Sequence, residues 1–144
     1  MNLFGVLDIS SGALKAERLR AEVVAANLAN VETTRTPEGG PYVRQQVVFQ
    51  AARSTRFGDL MQGLADTRVP SVEVTGPVSD PTPPLMRYAP GHPDANAEGM
   101  VAYPAINPAQ EIVDLMSAAR SYQLNTAAVQ ATKNMITESL QILH

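Results

Sequence analysis

The sequence predicts an α+β chain: long N- and C-terminal helices packed as a coiled-coil-like pair, an intersubunit bundle, with a small β-rich, proline-rich insert between them. Three observations carry this. Apolar or small side chains recur near the C-terminus at alternating steps of three and four. The same stepping recurs near the N-terminus, and most of the eleven prolines fall between Pro70 and Pro108. The segments are 1–32, 33–106 and 107–144.

The C-terminal row is Ile112, Leu115, Ala119, Tyr122, Thr126, Val129, Ile136, Leu140 and Leu143, interrupted only by Lys133. Its period is that of a coiled-coil seam, narrower than the stripe of a helix lying on a globular core. A helix over these residues would span about 50 Å. It overshoots a compact domain of this mass and needs a partner helix.

The N-terminal helix supplies one, from Asn2 or Leu3 to about Asn30. Leu3, Leu7, Ser10, Leu14, Glu17, Ala21, Val24, Leu28 and Val31 form one row, with Ser10 and Glu17 as polar breaks, and Val6, Ile9, Ala13, Ala16, Val23 and Asn27 a second. Gly5 and Gly12 weaken this helix in isolation. Periodicity alone does not choose between an antiparallel pair within one chain and packing on other copies. Asn27 and Asn30 each admit two readings: a helix-end residue tolerant of left-handed geometry, or a seam amide that fixes register.

Between the helices, Thr33 to Gly40 reads as a loop and Tyr42 to Phe49 as a strand. Phe57, Leu60, Met61 and Leu64 have helical spacing, but Gly58 and Gly63 interrupt them. Val69 to Val78 fits an edge strand bounded by Pro70 and Pro77, and Leu85 to Tyr88 a further strand. The prolines forbid long regular elements here. Asn107 is the expected N-cap of the last helix and Pro108 its first residue. Glu111 and Asp114 complement the dipole of its opening turns.

Composition narrows the chemistry. The 144 residues suit one modest domain or a small domain with helical arms, and fourteen acidic against eleven basic residues give a mildly acidic chain. Lys15, Arg18 and Arg20 are interleaved with Glu17 and Glu22, a solvated helix face and no stripe for nucleic acid. With no cysteine, a thiol nucleophile, a zinc knuckle and a disulfide framework are excluded. The N-terminus lacks the pattern of a Sec signal, so any export is expected to need no cleaved signal peptide. No run approaches the roughly 20 apolar residues of a membrane span. His92-Pro93-Asp94 matches the tripeptide of J-domain co-chaperones, but it sits among Pro90, Gly91 and Gly99 with no flanking helices and reads as a turn. The only other histidine is His144. No catalytic, cofactor-binding or metal-binding residue is expected, and the chain is not read as an enzyme.

Several local patterns coincide with one family. Ser11-Gly12-Ala13-Leu14-Lys15-Ala16 through Val24-Ala25-Ala26-Asn27-Leu28-Ala29-Asn30 resembles the N-terminal signature of bacterial flagellar basal-body rod and hook proteins. Gly40-Pro41-Tyr42-Val43-Arg44, Val47-Val48-Phe49, Tyr88 with Pro90 and His92-Pro93-Asp94-Ala95, Gly99, Tyr103-Pro104 and Asn107 are similar to the proximal-rod members. Glu111 through Gln123 resembles their C-terminal block. Departures are modest: Val31-Glu32 follows Asn30, Met100 replaces a common Tyr, and 51–68 diverges.

The resemblance implies a structural subunit of the proximal rod, a periplasmic drive shaft carrying torque from motor ring to distal rod and hook. It implies passage through the flagellar type III export apparatus, and assembly with itself, the rod proteins FlgB, FlgF and FlgG, the FliE adaptor and the MS ring, in a structure that crosses the peptidoglycan layer. The expected subunit-interface residues are Leu7, Leu14, Val24, Asn27, Leu28, Asn30, Ile112, Leu115, Ala119, Tyr122, Val129, Ile136, Leu140 and Leu143. The alternative is a cytosolic helical adaptor or export chaperone using the same seams.

Overall fold

The structure, a computed structural model, describes residues 3–51 and 72–142. The helical spacing of Phe57, Leu60, Met61 and Leu64, and Leu143 of the C-terminal row, lie outside these residues. The order is α1 (Leu3–Ala29), β1 (Gln45–Ala51), β2 (Val72–Ser79), β3 (Leu85–Tyr88), β4 (Met100–Tyr103) and α2 (Pro108–Ile142). The two long helices pack together with the strand insert between them in sequence, the α+β arrangement the sequence predicts.

Two compact units divide the described chain. The first holds 3–19, 48–51, 72–75 and 118–142, and the second 20–47 and 76–117. Each helix contributes to both.

In the first unit the fully buried positions carry small side chains: Ala16 on α1 and Ala118 on α2, with Ser10 and Thr132 beside them in the buried set. On α2 the inward residues are Ala118, Ser121, Asn125, Val129, Thr132 and Ile136, again at steps of three and four. Several polar residues of α2 bond carbonyls of their own helix. Asn125 Nδ2 donates to Ser121 O at 2.9 Å and Thr132 Oγ1 to Ala128 O at 2.9 Å. Gly12 lies where α1 approaches β2, and a β-carbon there would stand 3.0 Å from the carbonyl oxygen of Val72. The glycine weakens the isolated helix but makes this close approach possible.

In the second unit, Val23 and Val24 of α1, Val101 of β4 and Ile106 form the buried apolar set. β3 and β4 pair antiparallel, with Leu85 opposite Tyr103 and Tyr88 opposite Met100. β3 is exposed along its length, whereas Val101 on β4 is fully buried. The Arg87 guanidinium lies 5.1 Å from the centre of the Tyr103 ring, a cation–π contact across the pair. Gly99 has φ +75°, and a β-carbon there would meet Tyr88 Cε2 at 3.0 Å and Pro90 Cβ at 3.2 Å. Only glycine fits this turn.

Local signals set the helix ends. Asn107 Oδ1 accepts from the Ala109 amide at 3.1 Å, capping α2 with Pro108 as its first residue. At the end of α1, Asn30 Nδ2 donates to Ala26 O at 2.9 Å. Among the described residues only glycines have positive φ. Asn30 therefore does not adopt left-handed geometry, and both its backbone amide and its side chain donate to Ala26 O.

The start of β1 moves from its sequence expectation. β1 begins at Gln45 where the pattern suggests Tyr42, because residues 42–44 are diverted: the Tyr42 amide donates to Thr33 O at 3.0 Å, and the Tyr42 and Arg44 side chains turn to the helices. β2 pairs with β1, and positions 69–71 of the strand expected over Val69 to Val78 lie outside the described residues. β4 has no counterpart in the sequence reading.

Candidate functional site

The second unit contains a polar network built from both helices and the start of the insert. Its centre is Asn27, near the end of α1 and only 1 % exposed. Asn27 Nδ2 donates to Gln45 O at 2.8 Å and to Glu111 Oε2 at 3.1 Å. Asn27 Oδ1 accepts from the Gln45 amide at 2.9 Å and from the Tyr42 hydroxyl at 3.1 Å. Both amide donors and both acceptor lone pairs are thus satisfied.

Glu111, in the first turn of α2, is also 1 % exposed. Its Oε1 accepts from Arg44 Nε at 2.8 Å, a charge-assisted bond. Arg44 Nη1 reaches Asp80 Oδ2 at 3.2 Å. Burial alone would lower the Arg44 pKa, but its hydrogen bonds and charge contacts with Glu111 and Asp80 outweigh that and raise it. The Tyr42 phenol is pushed up by burial and by the Glu111 charge. Asp80 is held down at about 2, first by the hydroxyl and the amide of Thr82, then by Arg44 and Gln46. Thr82 Oγ1 lies 2.6 Å and its amide 3.0 Å from Asp80 Oδ1, and Gln46 Nε2 donates to Oδ2.

Beside this network a polar groove of about 170 Å³ is lined by Arg20, Asn27, Arg44, Gln46 and Asp114, among others. Its charges are matched within the chain, Arg20 Nη2 lying 3.2 Å from Asp114 and Arg44 between Glu111 and Asp80. The arrangement joins elements. It presents no activated nucleophile. Among the described residues there is no group of three or more His, Cys, Asp or Glu side chains able to hold a metal, and no helix long and apolar enough to cross a membrane.

His92-Pro93-Asp94 forms the turn its prolines and glycines suggest. The His92 amide donates to Ala89 O and the Ala95 amide to His92 O, each at 3.0 Å. His92 Nδ1 accepts from the Asp94 amide at 3.1 Å. The Asp94 carboxylate takes the Thr34 hydroxyl at 2.8 Å and faces Arg35 Nε at 3.4 Å, so it clasps two loops of the second unit.

The expected interface residues divide by helix. On α1, Val24 and Asn27 are buried, and Leu7, Leu14, Leu28 and Asn30 are half-buried. On α2, Leu115, Val129 and Ile136 are half-buried, whereas Ile112, Ala119, Tyr122 and Leu140 are exposed. Val113, Met116 and Leu124 of α2 are exposed as well. The helix therefore carries apolar side chains around most of its circumference. Such a helix is normally buried on more than one side.

Sequence reading missed Arg44 and Asp80, and gave Glu111 only a dipole role. One signal was available: Glu111 begins a seven-residue repeat with Ala118, Asn125 and Thr132, a row of small and polar residues parallel to the apolar one.

Comparison with known proteins gives a consistent result. The family described as "Flagella basal body rod protein" matches residues 7–35, and "Flagellar basal body rod FlgEFG protein C-terminal" matches residues 97–142. Similar curated proteins are each named "Flagellar basal-body rod protein FlgC". That of Bacillus subtilis is 39% identical over 99% of both chains. That of Borreliella burgdorferi is 35% identical over 99% of both. That of Salmonella typhimurium is 36% identical over 99% of this chain and 98% of its own.

Proposed function

The chain belongs to the flagellar basal-body rod protein family, and from that premise we propose that it serves in the proximal part of the rod, a periplasmic shaft that passes torque from motor ring to distal rod and hook. It is a structural subunit of the basal body, and family membership supports assembly with other basal-body proteins. The finer reading is that it enters through the flagellar type III export apparatus without a cleaved signal and has no catalytic activity. Its neighbours are further copies of itself, FlgB, FlgF, FlgG, FliE and the MS ring.

The single observation that carries the assembly reading is α2. Ile112, Val113, Met116 and Leu124 are exposed on a helix whose other side is already inward. In a lone chain these side chains meet water, and a neighbouring subunit would bury them at about 25 cal/mol per Å² of apolar area. A shaft needs contacts that resist twisting, and helices packed on two sides supply them.

Location tests the reading. The chain is expected to copurify with detergent-extracted basal bodies. Recovery only in the cytosolic fraction would contradict it and favour a helical adaptor or export chaperone.

A further inference from the structure

We propose that closure of α1 on α2 in the second unit is conditional on the insert: residues 42–45 must be seated before the two helices can close. The inference deepens the rod reading, and rests on it for its cellular test.

The argument starts from which atoms satisfy the buried groups. Of the four hydrogen bonds made by the Asn27 amide, three come from Tyr42 and Gln45 and one from Glu111. Glu111 receives its cation from Arg44. Both Asn27 and Glu111 are 1 % exposed. Helices closed before residues 42–45 are seated would hold Asn27 through one of its four hydrogen bonds and Glu111 without its cation. Bringing a carboxylate to a helix seam without its cation costs desolvation that no partner returns, whereas helices apart in water keep both groups hydrated.

The first unit is built differently: its fully buried positions among the described residues are Ala16 and Ala118, and Thr132 bonds its own helix. The network in the second unit fixes one axial alignment, and half of that network is carried by the insert. A chain whose insert has not folded therefore lacks the partners that hold α1 on α2 in the second unit.

The test uses the full-length chain in a flagellated host lacking its own copy, with recovery in basal bodies normalised to total cellular protein. Arg44→Met keeps the aliphatic stem and removes the cation, and recovery is expected to fall at least about tenfold. Adding Glu111→Gln removes the stranded charge while keeping an amide for Asn27, and recovery should return to within about threefold of wild type. If Arg44 acts only by packing, the second substitution deepens the loss. That result, or wild-type recovery of Arg44→Met alone, overturns the proposal.

Helix closure is read separately in the purified chain carrying Arg20→Cys and Asp114→Cys, whose native side chains lie 3.2 Å apart, joined by a short thiol crosslinker. The crosslink yield should fall with Arg44→Met and recover with Glu111→Gln. An unchanged yield overturns the proposal even if the rod reading stands. Absence of the wild-type chain from basal bodies sinks the rod reading alone.

Discussion

The two units solve the problem of buried polar groups in opposite ways. In the first, Asn125 and Thr132 donate to carbonyls four residues back on their own helix. Each is satisfied wherever the helix goes. In the second, Asn27, Arg44 and Glu111 are satisfied only by one another and by Tyr42, Gln45 and Asp80. The first arrangement asks no partner helix to satisfy these two groups. The second fixes three elements at once, as a buried polar group in a seam does when its partner exists in one place only. The difference suits a subunit that must be internally definite at one end of its helix pair and still offer helical surface to neighbours.

Three substitutions or conditions would break or sharpen that comparison. The largest effect is expected for Glu111→Ala, which removes one of the four hydrogen bonds of the Asn27 amide and one of the two carboxylates on Arg44. Two hydrogen bonds to a charged group, at about 1.5–3 kcal/mol each, put the loss at about 3–5 kcal/mol. Urea unfolding of the purified chain followed by far-UV circular dichroism measures it, and a loss below about 1 kcal/mol would place the pair with weak surface bridges. Ala118→Leu comes next. Ala118 is fully buried, so the added atoms overpack the first unit at a cost of about 1–3 kcal/mol. A neutral outcome in the same assay would mean that this seam is looser than the geometry implies.

The smallest effect belongs to the rim of the network. Asp80 is held at about 2 when folded, below its ordinary value near 3.9 in an unfolded chain. The folded state therefore binds fewer protons in this window. The contribution of Asp80 is fully present above about pH 4 and is lost as pH falls toward about 2. Asp80→Asn should flatten the stability profile between those limits and lower stability at pH 7 to 8 by the contribution it removes, leaving the slope there unchanged. An unchanged acid limb in Asp80→Asn would assign the acid sensitivity elsewhere.

Legibility followed the range of the interaction. Both long helices were readable because their seams repeat every few residues, and the Asn107 cap because its partner is two residues away. β3 was readable from its composition, but β4 was not. Met100 to Tyr103 is short, lacks a bounding pattern of its own, and becomes a strand by pairing with Leu85 to Tyr88. The apolar row of α2 identified the helix correctly, yet several of its members, Ile112, Tyr122 and Leu140 among them, are exposed in the lone chain. The small and polar row Glu111, Ala118, Asn125 and Thr132 turns inward instead. A reading based on hydrophobicity passes over that row, because alanine and threonine bury little area.

By itself the sequence determined the helix–insert–helix order, the absence of thiol chemistry, and a family signature spread along nearly the whole chain. These are properties of residue type and short-range spacing. Only the tertiary structure decided that Asn27 and Glu111, 84 positions apart, share one buried network with Arg44. The physical reason is that a local pattern can say a carboxylate suits a helix start, but its buried partner is chosen by where the chain returns.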